Sequence, residues 1–494
     1  MKINLKVDYK YYNSVKKTIE TLLPQVEILI SESDFDIKIT TLINLEYGIE
    51  VKSCLEKDPF FDETIVDMEI LKSKYNNSDL EKRVLARVKL TIYRLLTKLL
   101  DIDMSPWGIL IGVRPTKIAH NMLDRGFTYK EIDREFKEVY GVSKEKRELL
   151  LDVIKLERPR LLTKKEAKNK VSIYLGIPFC PTRCHYCSFA AYPLAKHKRY
   201  LEGFLEALEY EIKEVGEALS QLELEVDTLY IGGGTPTVLK TQELDNLMES
   251  LDKYFVSSNL REYTVEAGRA DTITRSKLEL LEKWGVGRIS INPQSMNLST
   301  LEKIGRHHTV DQVVQAFNCA REVGFDNINM DLILGLPKEG LKEVKRTLDA
   351  IKDLDPDSLT VHTMAIKRAS KLRRDIRSRE LLRTDQITKM VEETKNFAKS
   401  LKMRPYYMYR QKMILGNMEN IGYSKPGKES IYNILMMEER TVVIGLGGGA
   451  ISKLLNPQDW SLKRLHNPKF PQQYIDEIKE RTDKKVAELT SLVR

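Results

Sequence analysis

The chain has 494 residues, of which 42% are apolar and 31% charged, and that length predicts two to four units of about 100–200 residues each. Its 80 lysines and arginines stand against 72 aspartates and glutamates, a formal +8 spread along the chain and too mild to imply nucleic acid. No apolar run approaches the roughly 20 residues that span a bilayer.

The start, Met1-Lys-Ile-Asn-Leu-Lys-Val7, alternates like a strand and lacks the apolar stretch of a secretion signal, so a cytoplasmic location is expected. The pattern then predicts a helix over 13–22, strands around 36–52 and a long amphipathic helix near 79–101, an N-terminal α+β domain over 1–165 with no legible chemistry. Within it, Pro106-Trp-Gly-Ile-Leu-Ile-Gly-Val-Arg-Pro-Thr-Lys117 is rich in turn formers and reads either as a ligand loop or as a rigid interdomain turn. Lys164, Lys165, Lys168 and Lys170 form the densest basic stretch, in an expected linker. It is either a solvated connection or a landing patch for an acidic electron carrier or a carboxylate-rich substrate.

Over 166–379 the rhythm changes. Short β-branched runs (172–178, 226–231, 262–267, 287–292, 327–334, 358–364) alternate with helical periods (197–215, 241–254, 274–284, 311–323, 340–352). Such alternation predicts an α/β fold with a parallel sheet, curled into a full or partial barrel by right-handed crossovers, with ligands at the carboxyl ends of its strands. A C-terminal mixed domain is expected over 380–494, with a helix over 384–402, the segment Pro405-Tyr-Tyr-Met-Tyr409, a loop over 416–430 and Gly445-Leu-Gly-Gly-Gly-Ala450.

There are five cysteines, three of them in one octapeptide, which suits metal binding better than a disulfide framework. Cys54 and Cys319 read as small buried hydrophobes. The strand Val171-Ser-Ile-Tyr-Leu-Gly-Ile177 runs into Pro178-Phe-Cys180-Pro-Thr-Arg-Cys184-His-Tyr-Cys187-Ser-Phe189, a C-x3-C-x2-C loop. Three thiolates can hold three irons of a cubane cluster and leave the fourth open. Zinc is the rival, but His185 is poorly spaced to supply its fourth ligand.

This loop resembles that of the radical S-adenosylmethionine superfamily. Residues 171 to about 375 resemble its oxygen-independent coproporphyrinogen III oxidase/dehydrogenase subfamily, most closely the HemZ branch. The resemblance also rests on Gly232-Gly-Gly-Thr-Pro-Thr237, Thr264-Val-Glu-Ala-Gly268, Arg288-Ile-Ser-Ile-Asn-Pro-Gln294, Ile304-Gly-Arg-His-His-Thr309 and Asn329-Met-Asp-Leu-Ile-Leu-Gly-Leu-Pro337.

The resemblance implies a partial (β/α)6 barrel, a 4Fe-4S cluster on Cys180, Cys184 and Cys187, and S-adenosylmethionine as cofactor. It assigns the turn at Gly233, Gly234 and Thr235 to the methionine amino group, where residues without side chains let backbone N–H groups come close. Glu266 suits the ammonium or ribose, and Arg306 pairs with the methionine carboxylate. Gln294 and Asp331 go to the ribose. Tyr174 matches a cofactor-contacting tyrosine, Tyr186 and Phe189 match positions flanking the adenine, and Ile333 and Ala365 match the adenine pocket.

The family's oxidase members take hydrogen from a propionate side chain, release CO2 and leave a vinyl group, giving protoporphyrinogen IX from coproporphyrinogen III. A tetrapyrrole substrate and a flavodoxin- or ferredoxin-type reductant follow as expected partners. Strict oxidases carry a fourth cysteine where this chain has Phe189. The heme-chaperone branch carries His-Asn-x-x-Tyr-Trp where Tyr432-Asn-Ile-Leu-Met-Met437 stands here, after Pro426-Gly427. Three functions therefore stay open: coproporphyrinogen dehydrogenase, heme-binding chaperone, and a radical enzyme that methylates or opens another tetrapyrrole.

Overall fold

The computed structural model describes residues 1–29, 35–57, 61–69, 74–75, 77–101, 104–365, 384–411 and 414–493. They divide into two compact units, one of 1–155 with 409–419 and one of 156–408 with 420–494, where the sequence suggests three regions.

In the first unit β1 (Lys2–Lys6), β2 (Glu27–Leu29), β3 (Ile37–Asn44), β4 (Ile49–Lys57) and β5 (Phe61–Glu69) form a sheet in the order β2-β1-β3-β4-β5. Helix α1 (Tyr9–Leu22) begins four residues before the predicted start because the Asp8 side chain accepts from Lys10 N at 3.0 Å and caps it. The long helix α2 (Asn77–Leu100) buries Val84, Val88, Leu95 and Leu96 in the same core as Ile39, Val51 and Leu55 of the sheet. Helices α3 (Pro115–Asp124), α4 (Tyr129–Glu138) and α5 (Lys144–Glu157) follow.

The segment 106–117 proves to be part of this unit's own packing. Trp107 is fully buried, and its Nε1 donates to Glu419 Oε2 at 2.6 Å, while Lys146 Nζ meets Glu419 Oε1 at 2.8 Å. The Arg410 guanidinium lies 5.1 Å from the Trp107 ring centre and bonds the Leu110 carbonyl. No local pattern announces that 409–419 returns to the first unit, since each partner is about 300 residues away.

The second unit holds an eleven-stranded sheet. Six of its parallel strands lie side by side in the predicted barrel region: β6 (Lys170–Ile177), β9 (Glu225–Gly233), β10 (Glu262–Gly268), β11 (Arg288–Ile291), β12 (Ile328–Leu334) and β13 (Ser358–Thr363). The two short strands β7 (Phe179–Cys180) and β8 (Tyr192–Pro193) pair with each other. Crossover helices α7 (Leu201–Gln221), α8 (Thr241–Phe255), α9 (Arg275–Lys283), α11 (Val310–Val323) and α12 (Leu341–Lys352) follow the strands, with the short α6 (Leu194–His197) and α10 (Leu298–Lys303) between. Among the described residues the sheet runs in an open order, as a partial barrel has it.

The strands after 400 extend this sheet at both ends. β14 (Arg404–Tyr409) and β15 (Asn420–Ser424) lie beyond β13, while β16 (Val442–Gly447) pairs in parallel with β6 and leads to β17 (Ile451–Leu455) and β18 (Leu462–His466). Helices α13 (Thr384–Ser400), α14 (Ile431–Glu438) and α15 (Pro471–Val493) complete the unit. Lys164 and Lys170 of the basic stretch are engaged, Lys164 with the Gln458 carbonyl and Lys170 with Asp227 Oδ1 at 3.6 Å. Among the described residues no helix is long and apolar enough to cross a membrane.

One face of the six strands is apolar beneath the helices, as a covered parallel sheet requires. The other carries polar side chains at a period of two that meet from strand to strand. Thr228 Oγ1 donates to Ser172 Oγ at 2.8 Å, Asn329 Nδ2 to Ser290 Oγ at 2.9 Å, and Arg288 Nη2 crosses an intervening strand to Ser358 Oγ at 3.1 Å. A chamber walled by such groups suits a polar, charged ligand.

Candidate active site

Cys180 leaves the end of β6 through Pro178 and β7, and is buried beside the turn that ends β9. Burial pushes its thiol up to about 11, against the Thr235 hydroxyl, which lies 3.5 Å from Sγ. Gly234 N donates to Ile177 O at 2.7 Å and Thr235 N to Phe179 O at 2.8 Å, so the glycine turn is bonded to the cysteine strand. A Cβ on Gly234 would sit 3.0 Å from Cys180 Sγ and 2.9 Å from Ile177 O, which only glycine avoids.

The rest of the cysteine loop is docked on the segment before Arg306. His185 N donates to Ile304 O at 2.9 Å, His185 Nδ1 lies 2.9 Å from Lys303 O, and Thr182 Oγ1 donates to Gly305 O at 3.3 Å. From the other side Arg269 Nη1 donates to Thr182 Oγ1 at 2.7 Å while Asp271 grips its guanidinium at 2.7 and 2.9 Å. His185 thus helps to dock the loop through its main-chain N–H and Nδ1. None of the five cysteines is in a disulfide.

Arg306 is 5% exposed, bonds the Asn292 carbonyl through Nη1, and leaves its buried Nε without a partner. Burial alone would lower its pKa, but Tyr186 and Cys184 beside it hold it above the ordinary arginine value. Tyr186 itself is pushed up by burial, with Arg306 opposing.

Glu266, at the end of β10, is buried and its carboxyl is raised to about 7 by that burial. Tyr230 Oη donates to its Oε1 at 2.7 Å, and a Cβ on Gly232 would touch its carboxylate at 2.9 Å. Tyr174, Tyr230 and Tyr432 stack behind it, with ring centres 4.5 Å apart for Tyr230 and Tyr432 and 6.3 Å apart for Tyr174 and Tyr230.

Gln294 adopts φ +67° and bridges to β12: its N–H donates to Asp331 O at 2.9 Å, and its carbonyl accepts from Ile333 N at 3.0 Å. Its side-chain Oε1 is buried with no partner, as is Oδ1 of Asn292. Asp331 Oδ1 accepts from Asn329 Nδ2 at 2.7 Å. Buried polar atoms normally find partners, so the three orphans Asn292 Oδ1, Gln294 Oε1 and Arg306 Nε fit a ligand rich in donors and acceptors.

The structure therefore brings Cys180, Gly233, Gly234, Thr235, Glu266, Gln294, Arg306 and Asp331 to the carboxyl ends of the strands, with Cys184, Cys187 and Tyr186 on the docked loop. Tyr174 lies mid-strand, Ile333 is buried on β12, and Ala365 is half-buried just after β13. Phe189 stands apart, 65% exposed. Sequence reasoning passed over Tyr230, Arg269 and Asn292. Tyr230 lies two residues before Gly232 and so on its face, Arg269 directly follows a quoted motif, and Asn292 lies inside one.

This donor set fits the superfamily's group. Three thiols can hold three irons, and the glycine turn, Glu266, Gln294, Asp331 and Arg306 can meet an amino acid and a ribose.

The Radical SAM superfamily description matches residues 174–351. Over 425 residues, 85% of each chain, this protein is 42% identical to the Bacillus subtilis oxygen-independent coproporphyrinogen-III oxidase-like protein HemZ. It is 37% identical over 197 residues to the heme chaperone HemW of Bacillus subtilis, covering 40% of this chain and 51% of that one. The solved coproporphyrinogen III oxidase HemN of Escherichia coli shares the fold with a TM-score of 0.52 at 24% identity, over 65% of this chain and 72% of that one. With a relative 42% identical over 85% of each chain, the chain belongs to the radical SAM superfamily, in the HemZ-type family of coproporphyrinogen-III oxidase-like proteins, and its cofactors are a 4Fe-4S cluster and S-adenosylmethionine.

Proposed function

We propose that this protein oxidatively decarboxylates the propionates of coproporphyrinogen III to vinyl groups, giving protoporphyrinogen IX, in the cytoplasm and with a flavodoxin- or ferredoxin-type reductant. When bound, the reduced cluster and S-adenosylmethionine supply a radical that takes hydrogen from an unactivated C–H. The protein's residues bind, orient and exclude water. Cys180, Cys184 and Cys187 ligate three irons. The Gly233–Thr235 turn and Glu266 receive the methionine amino group, and Arg306 the carboxylate. Gln294 and Asp331 take the ribose, with Tyr186, Ile333 and Ala365 about the adenine and Tyr174 on the cofactor side of the first barrel strand, while Phe189, 65% exposed, is left out of the set. One hydrogen leaves the propionate β-carbon, one electron passes to an external acceptor, and CO2 departs.

The observation that carries this reading over a chaperone is the place of Tyr432. It stands where the chaperone branch has its histidine, yet it is 4% exposed and stacked on Tyr230, and its N–H donates to Glu262 Oε2 at 3.0 Å. A side chain so enclosed in the barrel packing does not meet a heme. The test is anaerobic incubation of reduced, cluster-loaded protein with coproporphyrinogen III and S-adenosylmethionine, followed by mass. Loss of CO2 and hydrogen at two propionates supports the reading. A mass gain or an opened ring assigns the protein to other tetrapyrrole chemistry, and stoichiometric heme binding without turnover assigns it to the chaperones.

A further inference from the structure

At the carboxyl end of β13 stands a side chain outside all the motifs above. The strand Ser358-Leu-Thr-Val-His-Thr363 places Ser358, Thr360 and His362 on the polar face. His362 Nε2 lies 3.6 Å from Asp331 Oδ2, and its ring is 26% exposed.

Asp331 is held differently at its two oxygens. Oδ1 accepts from Asn329, and Asn329 is locked by its neighbours: its Nδ2 also meets Ser290 Oγ at 2.9 Å, and its Oδ1 accepts from Ser358 Oγ at 3.2 Å and Thr360 Oγ1 at 3.1 Å. The main-chain carbonyl is taken by Gln294 N. Oδ2 faces His362. Burial would raise the Asp331 carboxyl, but His362, Asn329 and Arg288 together hold it below the ordinary aspartate value. The other charged group that faces it is Glu266 on β10. A carboxylate kept ionised offers only acceptors, which suits hydroxyl donors.

We propose that His362 is a positioning residue that turns the Asp331 carboxylate toward the ribose hydroxyls of S-adenosylmethionine, setting cofactor affinity without touching the cofactor. This rests on Asp331 being a ribose ligand. The fixed oxygen alone leaves the carboxylate free to swing about its bond to Cβ, and the imidazole closes that freedom.

The test is anaerobic equilibrium dialysis of S-adenosylmethionine against cluster-loaded protein in its oxidised, non-reacting state, with circular dichroism melts as a fold control. His362→Ala should weaken binding about tenfold, the scale of one charge-assisted contact, and His362→Gln, which keeps an N–H donor, should recover most of that. His362→Leu replaces the Ala variant if that one does not fold. Asp331→Asn should weaken binding at least as much, and adding His362→Ala to it should cost nothing further, because the two act through one carboxylate. Weak binding in Asp331→Asn with unchanged binding in His362→Ala overturns the positioning role alone. Losses that simply add in the double variant also overturn it. Unchanged binding in Asp331→Asn removes the ribose assignment, and the proposal with it.

Discussion

The Tyr230 hydroxyl donates to Glu266 Oε1 at 2.7 Å in the wall of the chamber, so the one carboxyl there that titrates near neutrality is tied to a stack of three tyrosines. Folding raises this carboxyl to about 7, so the folded state holds its proton more tightly than the unfolded chain does. Glu266 therefore favours folding below the ordinary glutamate range, and that support is lost as pH rises through about 7. Chemical denaturation of the cluster-free protein at pH 5 and pH 8 should show the wild type losing on the order of 3 kcal/mol relative to Glu266→Gln across that interval. Tyr230→Phe should move the transition to higher pH, since the hydroxyl stabilises the charged form.

Iron and sulfide analysis after anaerobic reconstitution should give about four of each per chain. Changing Cys180, Cys184 or Cys187 to Ala should abolish the brown chromophore. Cys54→Ala and Cys319→Ala should keep it, as both lie outside the loop, Cys54 on β4 and Cys319 on α11.

Gly234→Ala should lower cluster loading and destabilise the fold by about 1–3 kcal/mol, because the added methyl overlaps Ile177 O and Cys180 Sγ. Gly287→Ala is the matched control, since nothing lies within 4 Å of its added Cβ. Iron content and urea midpoints distinguish the two.

Behind the cysteine strand, Glu211 is fully buried and accepts from Gly447 N at 2.8 Å, Asn467 Nδ2 at 2.9 Å and Tyr474 Oη at 2.6 Å, besides pairing with Lys485. Gly448 N in turn donates to Gly176 O at 3.0 Å, so the pair on α7 and α15 braces the glycine segment against β6. Lys485→Ala should cost about 3–5 kcal/mol by stranding the carboxylate, and Lys485→Met with Glu211→Leu should cost less than the sum of the single changes. Thermal or urea denaturation reads both.

The six strands were legible because β-branched runs and helical periods alternate without interruption, and the cluster loop because three cysteines share one octapeptide. Distances along the chain hid the rest. The Gly445–Ala450 segment carries no strand signal of its own until β16 is found beside β6, and Trp107 reads as part of a loop or turn until Glu419 closes on its indole. The third region merged into the barrel sheet because a strand's pairing partner is set by tertiary packing, which local pattern does not carry. Phe189, matched to an adenine-flanking position by its place two residues after Cys187, stands largely in solvent. His362 went unnoticed because its significance depends on Asp331, a strand away.

The most direct test uses coproporphyrinogen III deuterated at the propionate β-carbons, incubated anaerobically with reduced protein and S-adenosylmethionine. Each 5′-deoxyadenosine released should carry one deuterium, two such nucleosides should form for each protoporphyrinogen IX, and Cys184→Ala should transfer no label. Unlabelled 5′-deoxyadenosine with the porphyrinogen mass unchanged would contradict the proposed decarboxylation.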